Sequence, residues 1–183
     1  MPKSLMLIFI VNFSIACNHS IYKNSSPSSI TDIDSTINKV IILKDPYSVI
    51  KYLGDIDSLV NESDTAAPDI YFYNISKTEY LRMKKWYGDG ANVFRSFEIG
   101  ETKILPKNIQ ILNSDFIRFN TESSVKIGMK KEDFLRIKKR MTFLENQSNG
   151  LNVLSFSDGE LYYSVYYFKN DLLIKFEFGY LYP

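Results

Sequence analysis

LNVLSFSDGELYYSVYYFKNDLLIKFEFGYLY, residues 151–182, is the richest stretch of strand-forming residues in the chain. Three runs, LNVLSF, LYYSVYYF and LLIKFEFGYLY, are set apart by SDGE and KND. That punctuation predicts an antiparallel meander, with Asp158 and Gly159 in a tight turn that tolerates positive φ. In the last run Leu172, Ile174, Phe176, Phe178 and Tyr180 fall on one face, and Lys175, Glu177 and Gly179 on the other. One face is expected to be buried and the other wet. The middle run is apolar at nearly every position, interrupted only by Ser164. It is therefore either a central strand covered on both sides, the preferred reading, or a binding patch carrying Tyr162, Tyr166 and Phe168.

Upstream, VKIGMKKEDFLRIKKRMTFL, residues 125–144, places Phe134, Ile137, Met141 and Leu144 within an arc of about 80° on a helical wheel, which predicts an amphipathic helix. DPYSVIKYLG, residues 45–54, predicts a second helix: Asp45 suits the N-cap, Pro46 the first helical position and Gly54 the end, with Val49, Ile50 and Leu53 as the packed face. Strand-like runs are NKVIILK (38–44), DIYFYNI (69–75) and NVFRSFEIG (92–100), with GDGAN (88–92) as a hairpin loop and a further strand at DFIRF (115–119). TEYLRMKKWY (78–87) fits strand or helix. RSFEIG at 95–100 echoes IKFEFG at 174–179, and a helix precedes each. The expected class is α+β, helices packed on an antiparallel sheet, with two helix-plus-meander repeats (38–100 and 115–183) as an open alternative to chance likeness.

VKIGMKKEDFLRI (125–137) and YYFKNDLLIKFEF (166–178) resemble, over about residues 125–182, the small bacterial envelope lipoproteins of the β-barrel-assembly accessory type and the β-lactamase-inhibitor-protein-like repeats. Lys130 stands where those families usually place a capping Ser, and no Gly-Pro phrase follows Leu144. The resemblance implies a helical layer on an antiparallel sheet and a role in binding other proteins. It carries over no catalytic residue.

At the other end of the chain, LMLIFIVNFSIA (5–16) follows the single cation Lys3 and is too short to span a bilayer, which takes about 20 apolar residues. Residues 1–16 are expected to be a signal peptide. SIAC (14–17) resembles a bacterial lipobox with Ser14 in the usual Leu position, which implies lipidation of Cys17; a plain secretory signal is the alternative. Cys17 is the only cysteine, so no intramolecular disulfide can form and the folded part must rest on its core. Residues 17–37 are expected to be the lipidated Cys and a Ser- and Asn-rich tether of roughly 25 Å reach, leaving 38–183 as the globular domain.

Lys plus Arg number 22 and Asp plus Glu 21, a balance that argues against a nucleic-acid partner. The only histidine, His19, lies two residues from Cys17, so a His-dependent hydrolase or a His-rich zinc site is not expected. Carboxylate pairs suited to glycan hydrolysis are Glu98 with Glu101 and Asp158 with Glu160; solvated turn and strand-end positions are the simpler account of all four. Asp32–Asp34 and Asp55–Asp57 lack the Gly and later Glu of a calcium loop and are expected to be solvated. RIKKR (136–140) fits a solvated helix face better than a headgroup contact. The expectation is an exported lipoprotein of the bacterial envelope, anchored to a membrane, with no metal, no cofactor and no catalysis, binding an envelope or secreted protein. A carboxylate-dependent enzyme on envelope glycans, or an inhibitor or immunity protein, are the alternatives.

Overall fold

The computed structural model describes residues 32–59, 69–86, 88–106, 109–159 and 161–181. Residues 1–16, Cys17, most of the expected tether and Glu160 lie outside the described residues. The elements run β1 (Thr36–Ile37), β2 (Ile41–Ile42), α1 (Pro46–Leu53), β3 (Ile70–Tyr73), β4 (Glu79–Lys84), β5 (Ser96–Glu101), β6 (Ile111–Asn113), α2 (Lys131–Ile137), β7 (Leu144–Ser148), β8 (Leu151–Ser157), β9 (Tyr162–Lys169) and β10 (Leu172–Tyr180). Strands β3–β10 form one eight-stranded sheet ordered β6-β3-β4-β5-β10-β9-β8-β7, and β1 and β2 form a separate ribbon. Every pair in the large sheet is antiparallel except β3 with β6.

This corrects the expected class. The protein is mostly β, and its two helices have only eight and seven residues. One face of the sheet is covered by the β1–β2 ribbon, the two short helices and irregular chain in place of a helical layer. Phe72, Leu81, Phe97, Ile99, Tyr166, Phe176 and Phe178 on that inner face share one core with Ile37, Ile41, Val49, Phe119, Val125 and Phe134. Burying each large apolar side chain contributes about 1.5–3 kcal/mol.

The β8–β9–β10 meander follows the sequence reading, with one difference. A bulge between Leu173 and Lys175 shifts the register, so Leu173 is buried and Leu172 exposed, the reverse of the expected alternation; from Phe176 onward the alternation holds. α1 is also formed as the residues predict: the Asp45 side chain accepts from the Tyr47 N–H, and Gly54 ends the helix at φ 87°. Its packed face is narrower, because Val49 is buried while Ile50 is exposed. Residues 79–84 are strand, the β4 hydrogen bonds to β3 and β5 deciding between the two readings.

The long second helix is corrected. Helix covers only Lys131–Ile137; Met141 is buried from a loop, and Leu144 opens β7 with 78% exposure. Apolar spacing there is satisfied by a turn of helix, a loop and a strand in succession. Asn149 and Gly150, both at positive φ, join β7 to β8, and an Asn-Gly pair is the residue signal for such a hairpin. DFIRF is not a strand either; the strand of that region is β6, at Ile111–Asn113.

Candidate functional site

The two meanders meet where β5 pairs with β10, and the echoed phrases lie there. The register sets Phe97 against Phe178, Glu98 against Glu177 and Ile99 against Phe176. Glu98 and Glu177 are thus each other's partners across a local two-fold, and both project from the outer face, opposite the core. The row through them runs Tyr71, Arg82, Glu98, Glu177, Val165 and Ser155 across six strands.

Two carboxylates directly opposite one another repel, and the neighbouring strands supply what offsets this. Tyr80 Oη donates to Glu98 Oε1 at 2.7 Å. Arg82, Lys175 and Lys84 lie 3.5, 3.8 and 4.0 Å from Glu98 Oε2. Lys84 also pairs with Glu177 at 2.8 Å, so its ammonium bridges the two carboxylates, and Tyr163 donates to Glu177. Burial alone would raise the Glu177 carboxyl, but hydrogen bonds from Lys84 and Tyr163 hold it below its ordinary value. Burial, and then the adjacent glutamates, push the Tyr80 and Tyr163 hydroxyls far above the usual tyrosine range, so both remain donors. Tyr80 has room because Gly100 has no side chain; a Cβ there would come within 2.6 Å of the ring.

Around this centre the face is aromatic and cationic. Arg82 lies over Tyr71 at 5.6 Å and also pairs with Asp69, and Lys175 lies over Tyr167 at 4.2 Å. About a quarter of each of the Arg82, Lys84 and Lys175 side chains reaches solvent. The arrangement can present Tyr and Arg surface to a partner, with both carboxylates already engaged by the chain's own donors. Shallow depressions of about 370, 490 and 520 Å³ ring the Asn170–Asp171 turn, away from this row.

The residues singled out from sequence distribute differently. Glu98 and Glu101 do not form a pair: three residues apart on one strand, they point to opposite faces, and Glu98 meets Glu177 instead. Asp158 is an exposed turn residue accepting from the Leu161 and Tyr162 N–H groups. Tyr162, Tyr166 and Phe168 are corrected as a binding patch, since all three are buried in the core, packed with Phe134 and Phe156. Cys17 is outside the described residues.

The inner face holds a second polar cluster that sequence reasoning missed. Asp34, expected to be solvated, and Lys138, expected on a solvated helix face, form an ion pair of 2.8 Å with 0% and 1% of their side chains exposed. Ser123 donates to Asp34 at 2.6 Å, Tyr166 at 3.3 Å, and Lys138 donates to the Asp32 carbonyl at 2.5 Å. The end of the expected tether is therefore part of the fold. The second Asp-x-Asp phrase is also tied in: Asp57 pairs with Lys85 at 2.8 Å and Asp55 accepts from Asn92 at 2.9 Å.

No family model and no curated protein matches the chain. Among solved structures, an extracellular protein containing an SCP domain from Bacillus anthracis str. Ames is similar at 12% identity and a TM-score of 0.35, over 88% of this chain and 48% of that one. The chain thus spans about half the length of that structure. A TM-score of this size does not equate the two folds.

Proposed function

We propose that the chain is an exported protein of the bacterial envelope, held at a membrane by acyl chains on Cys17, whose domain binds an envelope or secreted protein without catalysis. The binding surface is the outer face centred on Glu98 and Glu177. The observation that carries this reading is the row of Tyr71, Arg82, Glu98 and Glu177, flanked by Tyr163, Tyr167 and Lys175, at the middle of the sheet. Interfaces are enriched in Tyr and Arg, and those residues dominate binding energy at their centres. The lipobox-like SIAC and the likeness to envelope lipoproteins support the anchored, partner-binding role, and an inhibitor or immunity protein is a special case of it.

The facing carboxylates favour one other reading, a glycan-cleaving pair. Against it, Glu98 and Glu177 are engaged by Tyr80, Tyr163 and Lys84 and lie side by side on adjacent strands of one sheet face, whereas a glycan-cleaving pair flanks the scissile bond. Solubilised envelope passed over the wild-type chain and over the Tyr71→Ala/Tyr167→Ala variant distinguishes the two. A partner retained by the first and lost from the second is expected. Equal recovery by both, or glycan turnover abolished by Glu98→Gln and Glu177→Gln, would reverse the reading.

A further inference from the structure

We infer that β7 is a pairing edge for a second copy of this chain, joined antiparallel about a two-fold at Asn146, so that two eight-stranded sheets continue as one. The turn after β7 decides which backbone groups face outward. Asn149 and Gly150, at φ 51° and 73°, make a two-residue turn between Ser148 and Leu151, which sets that pair, and then Asn146 with Val153 and Leu144 with Ser155, as the positions that exchange hydrogen bonds with β8. Glu145 and Gln147 alternate with them and direct their N–H and C=O groups away from β8, at the end of the sheet. Among the described residues β7 pairs with β8 alone, and all five of its residues are exposed. Sheet edges are commonly blunted by Pro, Lys, a bulge or a very short strand. β7 has no Pro, no Lys and an unbroken register, and its one charge, Glu145, is already paired with Lys131 at 2.8 Å. The opposite edge, β6, has only three residues.

What selects a second copy is that the edge complements its own reverse. A two-fold at Asn146 sets Glu145 against Gln147 of the second copy, Leu144 against Ser148, and Asn146 against itself. The outward backbone groups of Glu145 then meet those of Gln147, and each such pair exchanges both of its N–H···O=C bonds. Lys131 and Asn152 take Oε1 of Glu145, so the facing Gln147 amide donates to Oε2. The neighbouring axes are worse: one at Glu145 faces two like charges directly, and one at Gln147 runs Glu145 into the turn at Asn149. A two-fold that joins antiparallel edges stands perpendicular to the sheet, so both outer faces lie on the same side and the two Tyr71–Glu177 rows form one surface with two equal sites. The pairing itself does not depend on what that surface binds. A five-residue edge buries less than the roughly 1,200 Å² of a stable interface, so the dimer is weak and exchanges with monomer.

The test uses the full chain with Cys17→Ser, so that an introduced cysteine is the only thiol. Asn146→Cys puts two thiols at a non-hydrogen-bonded pair with Cα atoms about 4.5 Å apart, within disulfide reach, whereas Ser148→Cys, on the same strand and face, sets them roughly 13 Å apart along the strands. Under a mild oxidant Asn146→Cys is expected to form a covalent dimer about tenfold faster than Ser148→Cys. Adding Gln147→Pro, which removes an outward N–H and none used by β8, should bring that rate down to the Ser148→Cys level. Gln147→Glu, which sets like charges opposite one another across the axis and leaves the hairpin intact, should lower it several-fold, with recovery in high salt. Equal rates at 146 and 148, or a rate at 146 that Gln147→Glu leaves unchanged, would overturn the pairing.

Discussion

The two faces of one sheet carry ionic clusters of opposite kinds. On the inner face a single pair, Asp34 with Lys138, is sealed in the core with few partners. On the outer face three cations and two glutamates share contacts at 2.8–4.0 Å, each cation partly in water. A sealed pair leaves an uncompensated charge when one member is removed, whereas a wet network rearranges. The inner cluster therefore fixes structure, tying the entering chain at Asp32–Asp34 to the end of α2, and the outer one is free to serve recognition.

The comparison breaks most visibly at Lys138. Lys138→Ala is expected to cost about 3–5 kcal/mol by leaving the buried Asp34 carboxyl without its cation; urea unfolding reads this, and the Asp34→Leu/Lys138→Met double variant should recover most of it. Next is Gly179, on the outer face of β10, where a Cβ would collide with the Arg95 carbonyl and with Ser96. Gly179→Ala should cost about 1–3 kcal/mol, read as a lower midpoint, because the β5–β10 seam must open to admit it.

Glu177 sharpens the outer half of the comparison. Its folded pKa is depressed, so its contribution is present above the ordinary glutamate value and is lost as pH falls through the lowered folded value. Glu177→Gln should remove part of that acid dependence while costing about 1 kcal/mol near neutral pH, measured as unfolding midpoints against pH. The smallest effect on stability belongs to Tyr71→Ala/Tyr167→Ala, expected within about 1 kcal/mol by the same unfolding assay, since both rings are partly exposed.

Local patterns were legible where local physics decides. Alternation and turn residues located β8, β9 and β10, and Asp45, Pro46 and Gly54 located α1, because capping and strand pleat act within a few residues. The echo between RSFEIG and IKFEFG suggests a repeat, but not that the two phrases pair as β5 and β10 or that Glu98 faces Glu177, which depends on strand order and register. The spacing of Phe134, Ile137, Met141 and Leu144 does not specify a long helix, because one apolar spacing can be met by helix, loop and strand in turn, and the local signal in that region is the Asn149–Gly150 pair that joins β7 to β8. Asp34 and Lys138 are 104 positions apart, and no periodicity links them. Composition cannot distinguish a solvated lysine from one sealed against an aspartate.

The central claim is that the outer face recognises a protein partner while the domain is attached to the envelope. A photo-crosslinking residue in place of Tyr167, with one in place of the exposed Thr142 as reference, tests this directly in intact cells. The account predicts a discrete adduct from position 167 that is absent from 142 and is lost when Arg82→Ala is added. Adducts of the same pattern from both positions, or none from 167 in a stably folded chain, would contradict it.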